Sequence, residues 1–413
     1  MKNQSLIAKF HPHILGLFSA IFVVIPLYTT MAILAWVAYL LIGGILKSIQ
    51  FKWNWKMSLW IGLYLLYVIG SFFTDHSDIA GKYLEYKLSF VILPILFSFQ
   101  PKIKYTSSIT FLWFILAITC LSLLGFYHSF LCGFSINCFS ASIFSYVHHP
   151  TYFSAFHVLA FSIAILGYVR KWRYFNLNWI IPFVLFSLVC QMLSLSLAGI
   201  LFLGLLFMTF FLRMLYKKWN LPGLLIGSVA FPALFFVFVN SVPQIESQWA
   251  VAKFYAKEYK ANPSDFIKNR QYPFSGTEAR LVMWTAAYQT FLSHPLGVGT
   301  GNVDDYLGEQ LNNLNQEELA KQNYNPHNQF LQIAIELGIF GLLYLIVMLI
   351  YLLRYAWLKK DYLLLILISS LIFNSLFESM LQRQSGIVFY VFFVCFLLSL
   401  TKNEIVQDIK TEL

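Results

Sequence analysis

Apolar runs of about twenty residues, the length an α-helix needs to cross a bilayer, follow one another along most of this chain. A bilayer interior offers backbone amides no water, so such runs must fold as helices that make their hydrogen bonds internally. Bounded by charge or by Gly, Pro and Asn, they fall at 12–29, 31–46, 57–73, 88–100, 106–128, 151–169, 177–193, 195–212, 221–242, 328–353, 362–377 and 386–401. The pattern predicts an all-α integral membrane protein of about twelve transmembrane helices. Of the 413 residues, 59% are hydrophobic and 11% charged, which excludes a soluble enzyme, a disordered chain and a nucleic-acid-binding arm. The least regular stretch is 177–212, where only Ser194-Leu195-Ser196 interrupts the apolar run; it reads as two helices joined by a tight turn.

An even number of spans leaves both termini on one side of the membrane. If that side is cytoplasmic, the inner segments hold eighteen of the 28 basic residues, from Lys2 and Lys9 to Lys402 and Lys410. The short outer loops hold Lys82, Lys87 and Arg383, and the rest lie in the long segment 243–327, which the positive-inside rule largely exempts. The net charge of +10 is thus a topological signal and implies no nucleic-acid partner. No cleavage site of small residues follows the first apolar run, which reads as an uncleaved span. The expected organisation is transmembrane helices with short loops over 1–242, a periplasmic helical loop domain over 243–327, and further transmembrane helices with a short cytoplasmic tail over 328–413.

Cys120, Cys190 and Cys395 fall within spans and read as small apolar residues. Cys132 and Cys138 lie in the outer loop 129–150, either as a disulfide that pins the loop or as two buried thiols. The clear ionisable residues inside spans are Glu336 and His157, a poor inventory for an ion-coupled transporter. Chemistry therefore belongs at the outer face, in 129–150, 243–327 and 378–385.

Within the long loop, Ile245, Trp249, Ala252, Tyr255 and Tyr259 recur at helical spacing and predict an amphipathic helix, on the outer surface or packed as a lid on the bundle. A second helix is signalled by Thr277 as N-cap, with Leu281, Trp284, Tyr288 and Phe291 repeating until His294-Pro295 ends it. Arg280 lies one turn before Trp284 on the same face. Its planar fork suits diphosphate oxygens, and the alternative is an interfacial arginine. Gly297, Gly299 and Gly301 read as a tight turn, because no strand precedes them as a nucleotide loop would require. Asp304 and Asp305 read as a solvated pair; no metal site and no cofactor is expected.

A helix beginning around His327 carries Asn328, Gln332 and Glu336 at i, i+4 and i+8. That polar stripe, about 12 Å long, must face the bundle interior or a water-filled cavity, with Gly338 and Gly341 below it allowing close helix approach. His327 at the cavity mouth suits proton removal from a hydroxyl nucleophile; taken alone it reads equally as an interfacial hydrogen-bonding residue.

The order Arg280-x-x-x-Trp284, His294-Pro295-x-Gly297-x-Gly299, then His327-Asn328-x-x-Leu331-Gln332-x-x-x-Glu336-x-Gly338-x-x-Gly341 resembles the core motif of the bacterial O-antigen ligase superfamily, which also includes O-antigen polymerases and protein O-oligosaccharyltransferases. The resemblance implies a GT-C-like, metal-independent, inverting glycosyltransferase of the bacterial inner membrane. Its donor would be a glycan on undecaprenyl diphosphate at the periplasmic face. Its acceptor would be a hydroxyl of the lipid A core, of a second glycan or of a protein, with ligase-type transfer to the core first among these. His327 would be the general base and Arg280 would bind the diphosphate. His149, in the stretch from His148 to Phe156, resembles the polar opening of a middle span in relatives, and either lines the site or only starts a helix. Many ligases carry a Ser-Arg pair where this chain has Ser196-Leu197. Arg383 in the last outer loop either replaces that charge or is an ordinary loop arginine. Outside the enzyme class stands a polysaccharide flippase or exporter, against which the outer-face concentration of polar residues argues.

Overall fold

A computed structural model describes residues 2–133, 135–270 and 273–400; Lys402 and Lys410, counted above, lie outside them. The first half contains helices α1 (Lys2–Val24), α2 (Thr29–Ile45), α3 (Ser58–Gly70), α4 (Ser77–Lys87), α5 (Ser89–Phe97), α6 (Ser108–Cys132), α7 (Ala141–Phe144), α8 (Pro150–Val169), α9 (Leu177–Leu193) and α10 (Leu197–Ser241). The long loop supplies α11 (Pro243–Ala261), α12 (Pro263–Lys268), α13 (Gly276–Ser293), α14 (Val303–Asn313) and α15 (Glu317–Ala320), and the chain closes with α16 (Gln329–Lys359), α17 (Tyr362–Asn374) and α18 (Gln384–Ser399). Among the described residues seven helices are long and apolar enough to cross a membrane, and α9, α17 and α18 are shorter apolar helices. This is an all-α membrane protein. Its only strands among these residues, β1 (Ile49–Phe51) and β2 (Phe99–Pro101), form an antiparallel clip pairing Gln50 with Gln100.

Two elements depart from the boundaries the sequence predicts. The uninterrupted α10 is two helices, because Asn220 adopts a left-handed φ of 53°. The halves fold back on each other: Phe211 lies against Phe231 with tilted rings whose centroids are 6.1 Å apart, and Gly204 and Gly227 receive Phe235 and Leu215. The run 88–100 forms only the nine-residue α5, too short to cross alone. It continues the polar α4 through a tightened turn in which the Leu88 amide donates to the Glu85 carbonyl at 3.1 Å.

Helix α18 is apolar on all sides and is buried from Gly386 to Leu398, as an all-round hydrophobic helix requires. Phe392 packs on Phe18, Trp36 and Phe97, and Phe393 on Phe114. The loop before α18 thereby opens at the centre of the bundle rather than its rim. His157 is a satisfied core residue, its two ring nitrogens bonded to Ser122 at 3.0 Å and Ser187 at 2.8 Å, which ties α6, α8 and α9 together. Cys132 and Cys138 form a disulfide.

The glycines of the Gly-rich turn serve a helix break. Gly338 has φ 65° and ψ −163° inside α16, so the carbonyls before it lose their helical partners. The turn supplies them: the amides of Val298 and Gly299 donate to Ile335 O at 2.8 Å and Glu336 O at 3.1 Å, and the Ile339 amide donates to Pro295 O at 2.9 Å. A Cβ on Gly297 would meet Gly338 N at 2.6 Å, and one on Gly338 would meet Gly297 N at 2.6 Å. Gly338 therefore marks a break and not the uninterrupted close-packed helix expected. Gly338→Ala is expected to destabilise the protein by at least about 1–3 kcal/mol, the typical cost of a forced left-handed residue, beyond the steric clash. Gly44→Ala, whose Cβ would meet nothing within 4 Å, is the control. Equal melting temperatures of the two variants in detergent would contradict the argument.

In the loop, α13 is capped by Ser275 rather than Thr277. Ser275 Oγ accepts from the Glu278 amide at 3.3 Å and Glu278 Oε2 from the Ser275 amide at 2.8 Å, the reciprocal box that Ser-x-x-Glu spacing favours. The amphipathic α11 packs on α13 through Tyr259, whose hydroxyl lies 2.6 Å from Thr285 Oγ1. Val282, Met283, Ala286, Leu307 and Leu311 form a small core that Ile335 of α16 joins. Arg270 braces it, pairing with Glu258 and with Glu278 at 3.3 Å and lying over the rings of Tyr255 and Phe266.

Candidate active site

Three helix beginnings meet at one end of the bundle. His149 is the N-cap of α8, His327 precedes α16 by two residues, and residues 375–383 lead from α17 into α18. The helix after His327 starts at Gln329, later than the sequence pattern suggests, because Asn328 is its N-cap: Asn328 Oδ1 accepts from the amides of Phe330 at 2.9 Å and Leu331 at 3.1 Å. His327 itself has a left-handed φ of 49°, a conformation uncommon outside glycine that persists where the surroundings enforce it. Here its amide donates to Asn325 Oδ1 at 2.9 Å.

The loop 375–383 is fastened to α16 at several points. The Gln329 amide donates to Ser375 O at 2.8 Å, Asn328 Nδ2 to Leu376 O at 3.2 Å, and the Leu381 amide to Gln329 Oε1 at 2.5 Å. Arg280 reaches it from α13, with Nε donating to Phe377 O at 3.2 Å. At the centre is Glu378, 3% exposed, whose Oε2 accepts from His327 Nδ1 at 3.0 Å. His149 Nδ1 lies 3.7 Å from the same oxygen, but it already accepts from the Thr151 amide at 3.4 Å, so the carboxylate's ring partner is His327.

Burial alone would raise the Glu378 carboxyl, but the hydrogen bond and charge of His327, with the charges of His149 and Arg280, outweigh it and bring it from 4.5 to about 2. Glu378 is therefore an anion at neutral pH. Burial pulls His149 below its ordinary value of 6.5, against Glu378 and with the positive charges of Arg280, His327 and Arg383, so His149 feels all three of the other basic side chains. Among the described residues neither Arg280 nor Arg383 makes an ion pair, in contrast to the locked Arg270. Arg383 is exposed at the start of α18. Chemically, the carboxylate fixes the His327 tautomer with its proton on Nδ1, which leaves Nε2 to accept a proton, beside two arginines open to an anion.

Residues 182–346 match the family model described as O-antigen ligase. That stretch supports a place for the chain in the O-antigen ligase and polymerase superfamily. No curated protein matches it. With the apolar helices, this match supports a multi-pass inner-membrane protein with ligase- or polymerase-type glycosyl transfer, for which the family implies a polyprenyl-linked glycan and a glycan acceptor. The matched stretch contains Arg280 and His327, whereas His149, Glu378 and Arg383 lie outside it and join the site only in three dimensions.

The other residues singled out from the sequence divide. Trp284 is half-buried one turn from Arg280, its Nε1 without a hydrogen-bond partner. Gln332 and Glu336 are buried and bonded to each other at 3.3 Å, in a separate polar cluster deeper along α16. There Glu336 Oε2 accepts from Gln382 Nε2 at 2.9 Å, and Gln382 Oε1 accepts from Lys87 Nζ at 2.5 Å. Asn328, being a cap, does not continue that stripe. Glu378 and Gln382 were not anticipated. The available signal was a lone acid in the stretch that contains Arg383, an outer loop otherwise without acids. Of the expected solvated pair, Asp305 is exposed and contacts the exposed His76 Nε2 at 2.7 Å, whereas Asp304 is partly buried and accepts from Tyr83 Oη at 3.2 Å. Among the described residues no group of three His, Cys, Asp or Glu side chains is arranged to hold a metal ion.

Proposed function

We propose that this protein is a ligase that transfers a glycan from undecaprenyl diphosphate to a hydroxyl of the lipid A core oligosaccharide at the periplasmic face, by a metal-independent, inverting displacement. The acceptor oxygen forms a bond to the anomeric carbon as the bond from that carbon to the diphosphate oxygen breaks. His327 Nε2 takes the acceptor proton, and the departing electron pair stays on the diphosphate. Arg280 and Arg383 oppose that charge, as fixed cations must where no metal does so. The observation that carries this reading is the hydrogen bond between His327 Nδ1 and Glu378 at 3.0 Å, with Arg280 and Arg383, neither in an ion pair among the described residues, in electrostatic reach of His149 beside the same carboxylate. The orientation rests on the basic residues of the short loops, which gather at the opposite end from His327.

The acceptor is tested by offering purified protein one lipid-linked donor with three acceptors: core oligosaccharide on lipid A, a second carrier-linked glycan, and a Ser- and Thr-rich exported peptide. Transfer to the core is expected. Transfer only to the carrier-linked glycan would make the protein a polymerase, and transfer only to the peptide an oligosaccharyltransferase.

Activity is also expected to persist in EDTA, because the charges needed at the leaving group are side chains. Loss of turnover restored by magnesium or manganese would refute this, with Asp304 and Asp305 the first residues to examine.

A further inference from the structure

A groove lies away from His327. It has a volume of about 700 Å³ and runs between the first half of α1, residues 103–106 and the start of α6. His148 Nε2 hydrogen-bonds Val23 O at 2.7 Å, which puts the far end of α1 beside the candidate active site; the groove, at Ser5 to His13, is therefore at the opposite end of that helix.

We propose that this groove binds an anionic phospholipid of the phosphatidylglycerol kind. Two lysines stand at its mouth, Lys9 on α1 and Lys104 on the connection to α6, both exposed. His13 is one turn beyond Lys9 on the same helix face. Trp113 Nε1 can only donate, and it donates to His13 Nδ1 at 3.2 Å, so the neutral ring carries its hydrogen on Nε2 and adds a donor to the groove wall. Beyond these groups the wall is apolar, with Leu112 and Leu116 one turn apart on α6 and the indole of Trp113 beside them. Leu116 is 57% exposed on a helix long and apolar enough to span the membrane, so the trough opens toward the acyl region. Two cations at a headgroup level above an apolar trough match an amphiphile with a negative head; a free phosphate would leave the trough unused. Basic pockets between transmembrane helices bind such lipids for this reason. Only the leaflet, cytoplasmic, rests on the orientation proposed above; the binding itself does not.

The test uses the full chain in phosphatidylcholine vesicles doped with brominated phosphatidylglycerol or brominated phosphatidylcholine, whose bromines quench indoles on contact. Three proteins are compared: wild type, Lys9→Gln/Lys104→Gln, and Lys359→Gln/Lys360→Gln, which removes the same charge from the exposed end of α16. Each lysine near a lipid surface contributes roughly fivefold, so the wild type is expected to prefer phosphatidylglycerol by about 25-fold. The first pair of substitutions is expected to abolish the preference and the second to retain it. Equal quenching of the wild type by both lipids, or equal loss in both variants, overturns the proposal. So does competition by millimolar inorganic phosphate, which would make the mouth a simple anion site. Because all four lysines are exposed, neither variant is expected to misfold, and glycosyl transfer serves as an independent readout of the site at the other end.

Discussion

Glu378→Gln is expected to lower glycosyl transfer by about 10²–10⁴-fold, close to the loss on removing His327 itself, although it changes one atom and keeps the side chain's shape. The ionised carboxylate accepts from His327 Nδ1 and so leaves Nε2 unprotonated. A glutamine amide can donate to Nδ1 instead, which stabilises the opposite tautomer and places a hydrogen where the base must be free. His327→Asn is the companion variant, because asparagine tolerates the left-handed φ of 49° with little strain, whereas alanine adds a backbone penalty. Turnover of purified variants on a lipid-linked donor decides the matter, with melting temperature as the control. Full activity of His327→Asn would eliminate base catalysis by this residue; full activity of Glu378→Gln would eliminate only the orienting role. The depressed carboxyl also sets a sign. Glu378 contributes stability that is present above its ordinary value of 4.5 and is lost as pH falls toward about 2, so titration of this carboxyl does not explain activity lost between pH 8 and 5.

Lys87→Met is expected to destabilise the protein by about 3–5 kcal/mol, and adding Glu336→Gln is expected to restore most of it. Lys87 is 0% exposed and Glu336 2%, and Gln382 bridges them by donating to one and accepting from the other. The ammonium also sits 4.5 Å from the Tyr67 ring centroid and 5.0 Å from that of Tyr83, which favours a cation there. Removing the lysine alone strands a buried carboxylate, whereas neutralising both leaves an uncharged cluster of similar volume. Melting temperatures of the two single variants and the double variant form the cycle. Additive losses would mean that the two charges do not interact through Gln382. Since Gln382 precedes Arg383 and belongs to the same loop as Glu378, each single variant is also expected to lower transfer.

The residues that sequence reasoning reached best were those that announce themselves locally. His327 and Arg280 stand in a recurring motif, and the apolar runs specify helices because a bilayer permits little else. Glu378 is 51 residues from His327, and nothing in its immediate neighbours says that α18 will run through the bundle's centre and bring it there. The break at Gly338 was equally hidden. The residues around it read as continuous helix, and the bonds that make a break tolerable come from a turn forty residues earlier. Glu336 illustrates the converse. Its burial follows from i, i+4 spacing, but spacing does not say whether a buried acid faces water or a glutamine bridging to a lysine.

Helix α18, buried along most of its length, is also the last described helix of the chain. Helices of a multi-pass protein leave the ribosome in order, so a nascent chain that ends before the α17–α18 hairpin has His149, Arg280 and His327 but no Glu378, no Arg383 and no Gln382 to join Lys87 to Glu336. On the mechanism proposed here such a chain can neither orient its base nor supply its second cation. Competence for transfer would then arrive in one step, with insertion of the final hairpin, and a partly inserted protein would not consume the carrier-linked glycan.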